Sequence, residues 1–121
     1  MIRGVGIDIV EIERIKKMLH KWGKALEKHI LTQEEIKVGE KRQEKAIFLA
    51  GRIAAKEAIF KSLGVSPRWQ EVQILPDEDG VPLVTFSSKF YRELQSKGVN
   101  KVVVSISHSK SFAIAQALAL K

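Results

Sequence analysis

Cysteine is absent from the 121-residue chain. Disulfides, thiolate metal sites and cysteine nucleophiles are therefore excluded, and a reducing compartment is permitted. Proline is scarce: Pro67, Pro76 and Pro82 all fall in the second half, where turns and a strand edge are expected. Aromatic residues make up only 7% of the chain. No apolar run approaches the roughly 18 residues that suggest a membrane-spanning helix. The opening MIRGVGIDIV lacks the basic-then-apolar order of a secretory signal. Neither a membrane span nor a signal peptide is expected, and no repeat or low-complexity linker divides the chain.

What is present fits one globular domain: 45% hydrophobic and 29% charged residues. The net charge of +7 draws an anionic partner and speeds encounter. Charge alone leaves open a nucleic acid, an acidic protein, a membrane surface or a phosphorylated metabolite.

Residues 2–10 alternate, with Val5, Ile7 and Ile9 on one side and Gly4, Gly6 and Asp8 on the other. This predicts a strand whose apolar side faces the core. Residues 12–28 have helical periodicity, with Gly23 placed to interrupt or end it. Thr32 and Glu35 fit a capping box at the start of a second helix. Residues 46–63 form the longest helical stretch, stopped by Gly64. Val72–Leu75 and Val81–Phe86 flank PDEDG as a hairpin. Residues 88–97 suit a short helix and Lys101–Ser107 a strand; His108–Ser111 reads as a turn before a final strand at Phe112–Leu120. The expected class is α+β, one compact domain with an antiparallel sheet and a long central helix.

Asp8 is unusual because Asp is disfavoured within strands. Gly4 and Gly6 on the same side predict open space where its carboxylate meets a metal or ligand. The plainer alternatives are a solvent-facing Asp or a cap on the following helix. Glu57 lies one helical turn from Ile53, Ala54, Phe60 and Lys61. A poorly solvated carboxylate needs a partner, and spacing alone favours a surface pair with Lys61 over a ligand role.

Arg14, Lys17, Lys21, Lys24 and Lys28 fall within roughly an 80° sector of one helix. Ile12, Ile15, Leu19, Trp22 and Leu26 occupy a separate sector expected to face the core. The basic ridge is either an ordinary solvated face or a dock for an acidic surface. His108, in SISHS, suits a phosphate contact, proton transfer or a plain turn. His20 and His29 have no assigned role. Neither HExxH, a P-loop nor GxGxxG occurs.

GIDIVEIERI at 6–15, FLAGRIAAKEAIFKSLG at 48–64 and VSISHS at 104–109 resemble the three signature blocks of the holo-[acyl-carrier-protein] synthase family. The order and separation of the blocks match over nearly the whole chain. The resemblance implies a phosphopantetheinyl transferase that moves 4′-phosphopantetheine from coenzyme A to a serine of apo-acyl carrier protein. It further implies Mg²⁺, a homotrimer with active sites between subunits, and a role in fatty acid biosynthesis in the cytoplasm. Asp8 and Glu57 match the metal ligands. Arg52 and Lys61 match residues that contact the phosphates, and His108 one beside the nucleotide end. Arg14 matches an arginine that meets the acidic carrier, with Lys17 and Lys21 extending the same dock. Asp8, Glu57 and Lys61 are the expected catalytic set. Lys56 lies in the middle block without an assigned contact. Asp8, Glu57 or a water beside the metal takes the serine proton; the sequence does not choose.

One departure follows Gly64. Many relatives carry a longer glycine-rich loop there, whereas VSPRWQEVQI follows directly in this chain. The rivals are a small basic nucleic-acid-binding module, which the few aromatics disfavour, and an inactive scaffold, which Asp8, Glu57 and Lys61 disfavour.

Overall fold

The structure, a computed structural model, describes residues 1–121. Strand β1 (Ile2–Glu11) leads into helices α1 (Ile12–Trp22), α2 (Lys24–Ile30), α3 (Gln33–Glu40) and the long α4 (Lys45–Leu63). A 3₁₀ turn (Trp69–Glu71) precedes β2 (Val72–Pro76) and β3 (Pro82–Phe86), followed by α5 (Ser88–Ser96), β4 (Lys101–His108) and β5 (Phe112–Leu120).

The α+β class is as expected, but the strands form two antiparallel sheets rather than one. One sheet has the order β1-β5-β4, and β2 and β3 form a separate hairpin. The alternation at the C-terminus is a strand, and β5 becomes the central one. His108 ends β4, so the turn is confined to residues 109–111.

Helix α4 holds this arrangement together. Its alanines favour helix and outweigh the single interior Gly51. At its end Gly64 takes a left-handed conformation, φ 67°, and its N–H donates to the Lys61 carbonyl. The Thr32 capping box starts α3 as predicted, with Glu35 bonding back to the Thr32 N–H. Gly23, at φ 55° and ψ −132°, does more than mark an end. It splits the predicted 12–28 helix into α1 and α2, so Lys24 and Lys28 leave the helix that carries Arg14, Lys17 and Lys21. Trp22, expected in the core, is the last residue of α1 and is 55% exposed.

The largest correction concerns β1. Val5, Ile7 and Ile9 face outward, and the side bearing Gly4, Gly6 and Asp8 packs on α4. No open space lies beside the glycines. A Cβ on Gly4 would stand 1.9 Å from the Ser62 carbonyl oxygen, and one on Gly6 1.9 Å from that of Ala58. The β5 residues Ala113, Ala115, Ala117 and Ala119 are buried, as are Ala54, Ala55 and Ala58 of α4. Sheet and helix thus approach almost backbone to backbone, which only Gly and Ala allow.

Replacing Gly6 by Ala forces that contact apart. The substitution is expected to lower unfolding free energy by at least ~3 kcal/mol, read as a fall in the urea midpoint. An unchanged midpoint would contradict the close packing.

Candidate functional site

Two clefts matter. The first, about 290 Å³, is bounded by Asp8 of β1 and Glu57 of α4, with Arg14 and Met18 of α1, Ile30 of α2 and Trp69 among its other walls. The tight β1–α4 contact brings the two carboxylates to one cavity. Lys61, one turn after Glu57, donates to Asp8 Oδ1 at 3.0 Å and to the Ile7 carbonyl at 3.1 Å. Lys61 therefore pairs with Asp8, not with Glu57 as spacing favoured. Its side chain is 54% exposed, so the pair adds little to stability.

Glu57 has a raised pKa, chiefly because burial disfavours its charge and then because Asp8 repels it; Lys61 partly opposes both. A carboxylate whose charge is disfavoured by burial and by a neighbouring carboxylate is chemically suited to share a cation with that neighbour. No cluster of three or more His, Cys, Asp or Glu residues suited to a metal exists. The donor set therefore fits Mg²⁺, which commonly takes one or two carboxylates and completes its shell from phosphates and water. It does not fit an all-protein cage.

The second cleft, about 420 Å³, contains Arg42, Arg52 and His108, with Phe48, Ile106 and Pro82. The Arg52 guanidinium lies over the Phe48 ring at 4.7 Å. Its Nε is buried without a hydrogen-bond partner. Burial lowers its pKa to about 10; Glu35 opposes this and Arg42 adds to it. An under-bonded buried cation beside a second cation suits an anionic ligand. His108 is exposed, with its Nδ1 3.4 Å from the Ser109 carbonyl.

The predicted residues therefore separate into two groups. Asp8, Glu57 and Lys61 come together. Arg52 and His108 come together elsewhere. Arg14, Lys17 and Lys21 are exposed on α1, and Arg14 also borders the carboxylate cleft. Arg42 was missed, because it sits in the charged stretch KRQEK, where nothing in the spacing distinguishes it. Lys56, whose contact the sequence left open, is fully buried against Glu35. Its place after Ala54 and Ala55 in an apolar helix was the available signal.

The model of the 4′-phosphopantetheinyl transferase superfamily matches residues 4–117. A holo-[acyl-carrier-protein] synthase of Clostridium botulinum is 42% identical over 98% of this chain and 97% of its own length. The crystal structure of the Neisseria meningitidis holo-[acyl-carrier-protein] synthase superposes with TM-score 0.94 at 32% identity, covering 100% of both chains. The Bacillus anthracis synthase in complex with CoA (3′,5′-ADP) superposes with TM-score 0.80 at 37% identity, covering 100% of this chain and 99% of that one. The chain belongs to the 4′-phosphopantetheinyl transferase superfamily and, within it, to the holo-[acyl-carrier-protein] synthases.

The raised pKa of Glu57 has a measurable consequence. Its ionised form costs stability above the raised pKa, and that cost vanishes below the ordinary value of 4.5. Glu57→Gln, which mimics the protonated form, should melt higher than the parent at neutral pH without added metal. The two melting curves should converge as pH falls below 4.5. A gap that is equal at both pH values would refute the charge repulsion.

Proposed function

We propose that the chain transfers 4′-phosphopantetheine from coenzyme A to a serine hydroxyl of apo-acyl carrier protein and releases adenosine 3′,5′-bisphosphate. The carrying observation is the Asp8–Glu57 pair in one cleft with the Lys61 ammonium at Asp8. The names of the relatives, one of them in complex with CoA (3′,5′-ADP), support the same substrates. The product serves fatty acid biosynthesis, and the setting is the cytoplasm.

Asp8 and Glu57 would hold Mg²⁺. When bound, the ion offsets negative charge on the coenzyme A pyrophosphate. Lys61 adds a positive charge beside it. Arg52, Arg42 and His108 supply donors for the phosphate-rich nucleotide end. The serine oxygen forms a bond to the phosphorus that carries the pantetheine arm. The bond from that phosphorus to the bridging oxygen breaks, and the bisphosphate leaves with the electron pair. The serine proton passes to Asp8, to Glu57 or to water. The chain's main contribution is positioning and charge stabilisation.

Two features support a homotrimer with shared sites. Val5, Ile7, Ile9, Phe112 and Ile114 leave an uncovered apolar face on β1 and β5, the kind of patch that marks an interface. Arg52 and His108 also line a different cleft from Asp8 and Glu57. We propose that a neighbouring copy packs on the apolar face and that each active site joins one chain's Arg52 cleft to another's carboxylates.

The basic α1 surface suits an acidic carrier, and charge steering would raise the association rate. Nucleic acid has the weaker claim: Phe48, Phe60 and Phe90 are buried, and the exposed Trp22, Tyr91 and Phe112 lie on three different elements, α1, α5 and β5.

With coenzyme A and Mg²⁺ present, an apo-carrier protein should gain the mass of one phosphopantetheine group. Absence of transfer to every carrier tried would sink the proposal, and salt-sensitive nucleic-acid binding without either cofactor would favour the rival. Asp8→Ala and Glu57→Ala should each reduce the Mg²⁺-dependent rate at least ~100-fold. Normal activity in either variant would remove that residue from the metal site. Reversing charge at Arg14 and Lys21 should raise KM for the carrier about tenfold at low salt and leave kcat nearly unchanged. An unchanged KM would remove α1 from docking.

A further inference from the structure

The most deeply buried polar cluster lies outside both clefts. Lys56 and Glu35 are each 0% exposed. Lys56 Nζ donates to Glu35 Oε1 at 2.7 Å, to the Ile30 carbonyl at 2.8 Å and to the Trp69 carbonyl at 2.8 Å. An ammonium has three donors, and here all are used. Glu35 in turn accepts the Thr32 N–H on Oε1 and the Ile74 N–H on Oε2, each at 2.8 Å. One ion pair thus ties α4, the end of α2, the start of α3, the 3₁₀ turn and β2.

Stability does not explain the pair. Apolar side chains of similar volume commonly hold a fold as well as a buried ion pair does. Burial works against the Lys56 charge, and Glu35 supports it. What an apolar side chain cannot do is bind two carbonyls from separate segments. Those carbonyls belong to Ile30 and Trp69, and both residues wall the carboxylate cleft. Trp69 is further seated edge-on against Phe60, with ring centroids 5.4 Å apart. Lys56 directly precedes Glu57 on α4, so the group that binds the wall and the carboxylate facing the cleft share one turn.

We infer that Lys56 and Glu35 are a positioning pair for the transfer reaction, fixing the Ile30–Trp69 wall of the cleft that holds Asp8 and Glu57. The inference rests on the function proposed above. The pair touches no substrate. The wall meets whatever enters beside the carboxylates, the carrier serine or the arm it receives. Capture of coenzyme A depends instead on Arg52, His108 and Lys61. The pair therefore governs turnover more than coenzyme A affinity.

Lys56→Met alone would strand a buried carboxylate at a large cost to folding, so the informative variant is Lys56→Met with Glu35→Gln, which removes both charges. It is compared with the full-length parent in two measurements. Steady-state transfer should show kcat reduced at least about tenfold per folded molecule, with KM for coenzyme A within about threefold. In a Trp22→Phe background Trp69 is the sole tryptophan, and its emission should shift to the red and quench more readily with acrylamide. A double variant with parental kcat per folded molecule would overturn the inference while leaving the transferase reading intact. Unaltered Trp69 emission would also overturn it. A parent that transfers nothing would sink the transferase reading, and Trp69 emission would still decide whether the pair holds the wall.

Discussion

The contact between β1 and α4 is the constraint on which everything else depends. Gly4 and Gly6 let the strand lie against the Ser62 and Ala58 carbonyls, closer than any side chain permits. The alanines of β5 and α4 continue the same close packing. Three consequences follow. Asp8, next on the glycine side of the strand, reaches the cleft that Glu57 borders. Lys61 can reach both the Asp8 carboxylate and the Ile7 carbonyl. The strand's large apolar side chains have no place inside and are displayed outward.

Buried polarity is arranged in two contrasting ways. Lys56 is fully satisfied, with three acceptors for three donors. Arg52, one turn earlier on the same helix, is buried with an unpartnered Nε. The first is a finished structural node. The second leaves a donor free for a ligand from outside the chain. A satisfied cation rigidifies its neighbourhood, whereas an unsatisfied one gains most from an arriving phosphate.

The elements were largely legible in the sequence. Glycine and capping signals located α3, the end of α4 and the hairpin, because these depend on local conformation. The sidedness of β1 was not legible. Alternation says which residues share a side, but not which side the core takes. The usual assumption that apolar means inward fails when the partner helix needs Gly and Ala at the contact. Trp22 misled for a related reason: it shares a helical sector with the buried Ile12 and Ile15, but a sector does not say how far along the helix the core extends. Asp8 and Glu57 stood out as residues out of place, but spacing gave Glu57 to Lys61 because a helix repeat cannot reveal a partner on a distant strand. Lys56 and Glu35 are separated by 21 residues, and no local rule joins them. The division of the site residues between two clefts was equally hidden, since resemblance carries residues over without saying which cleft each lines.

The proposed active site is built from two chains, with Asp8 and Glu57 from one and Arg52 and His108 from the other. Complementation tests it most directly. Asp8→Ala and Arg52→Ala chains, each inactive alone, are co-assembled in equal amounts and purified as mixed oligomers. In a mixed closed trimer one of the three interfaces restores both halves, so roughly a third of the parental rate should return. Mixed oligomers that form but recover no activity would contradict the shared site.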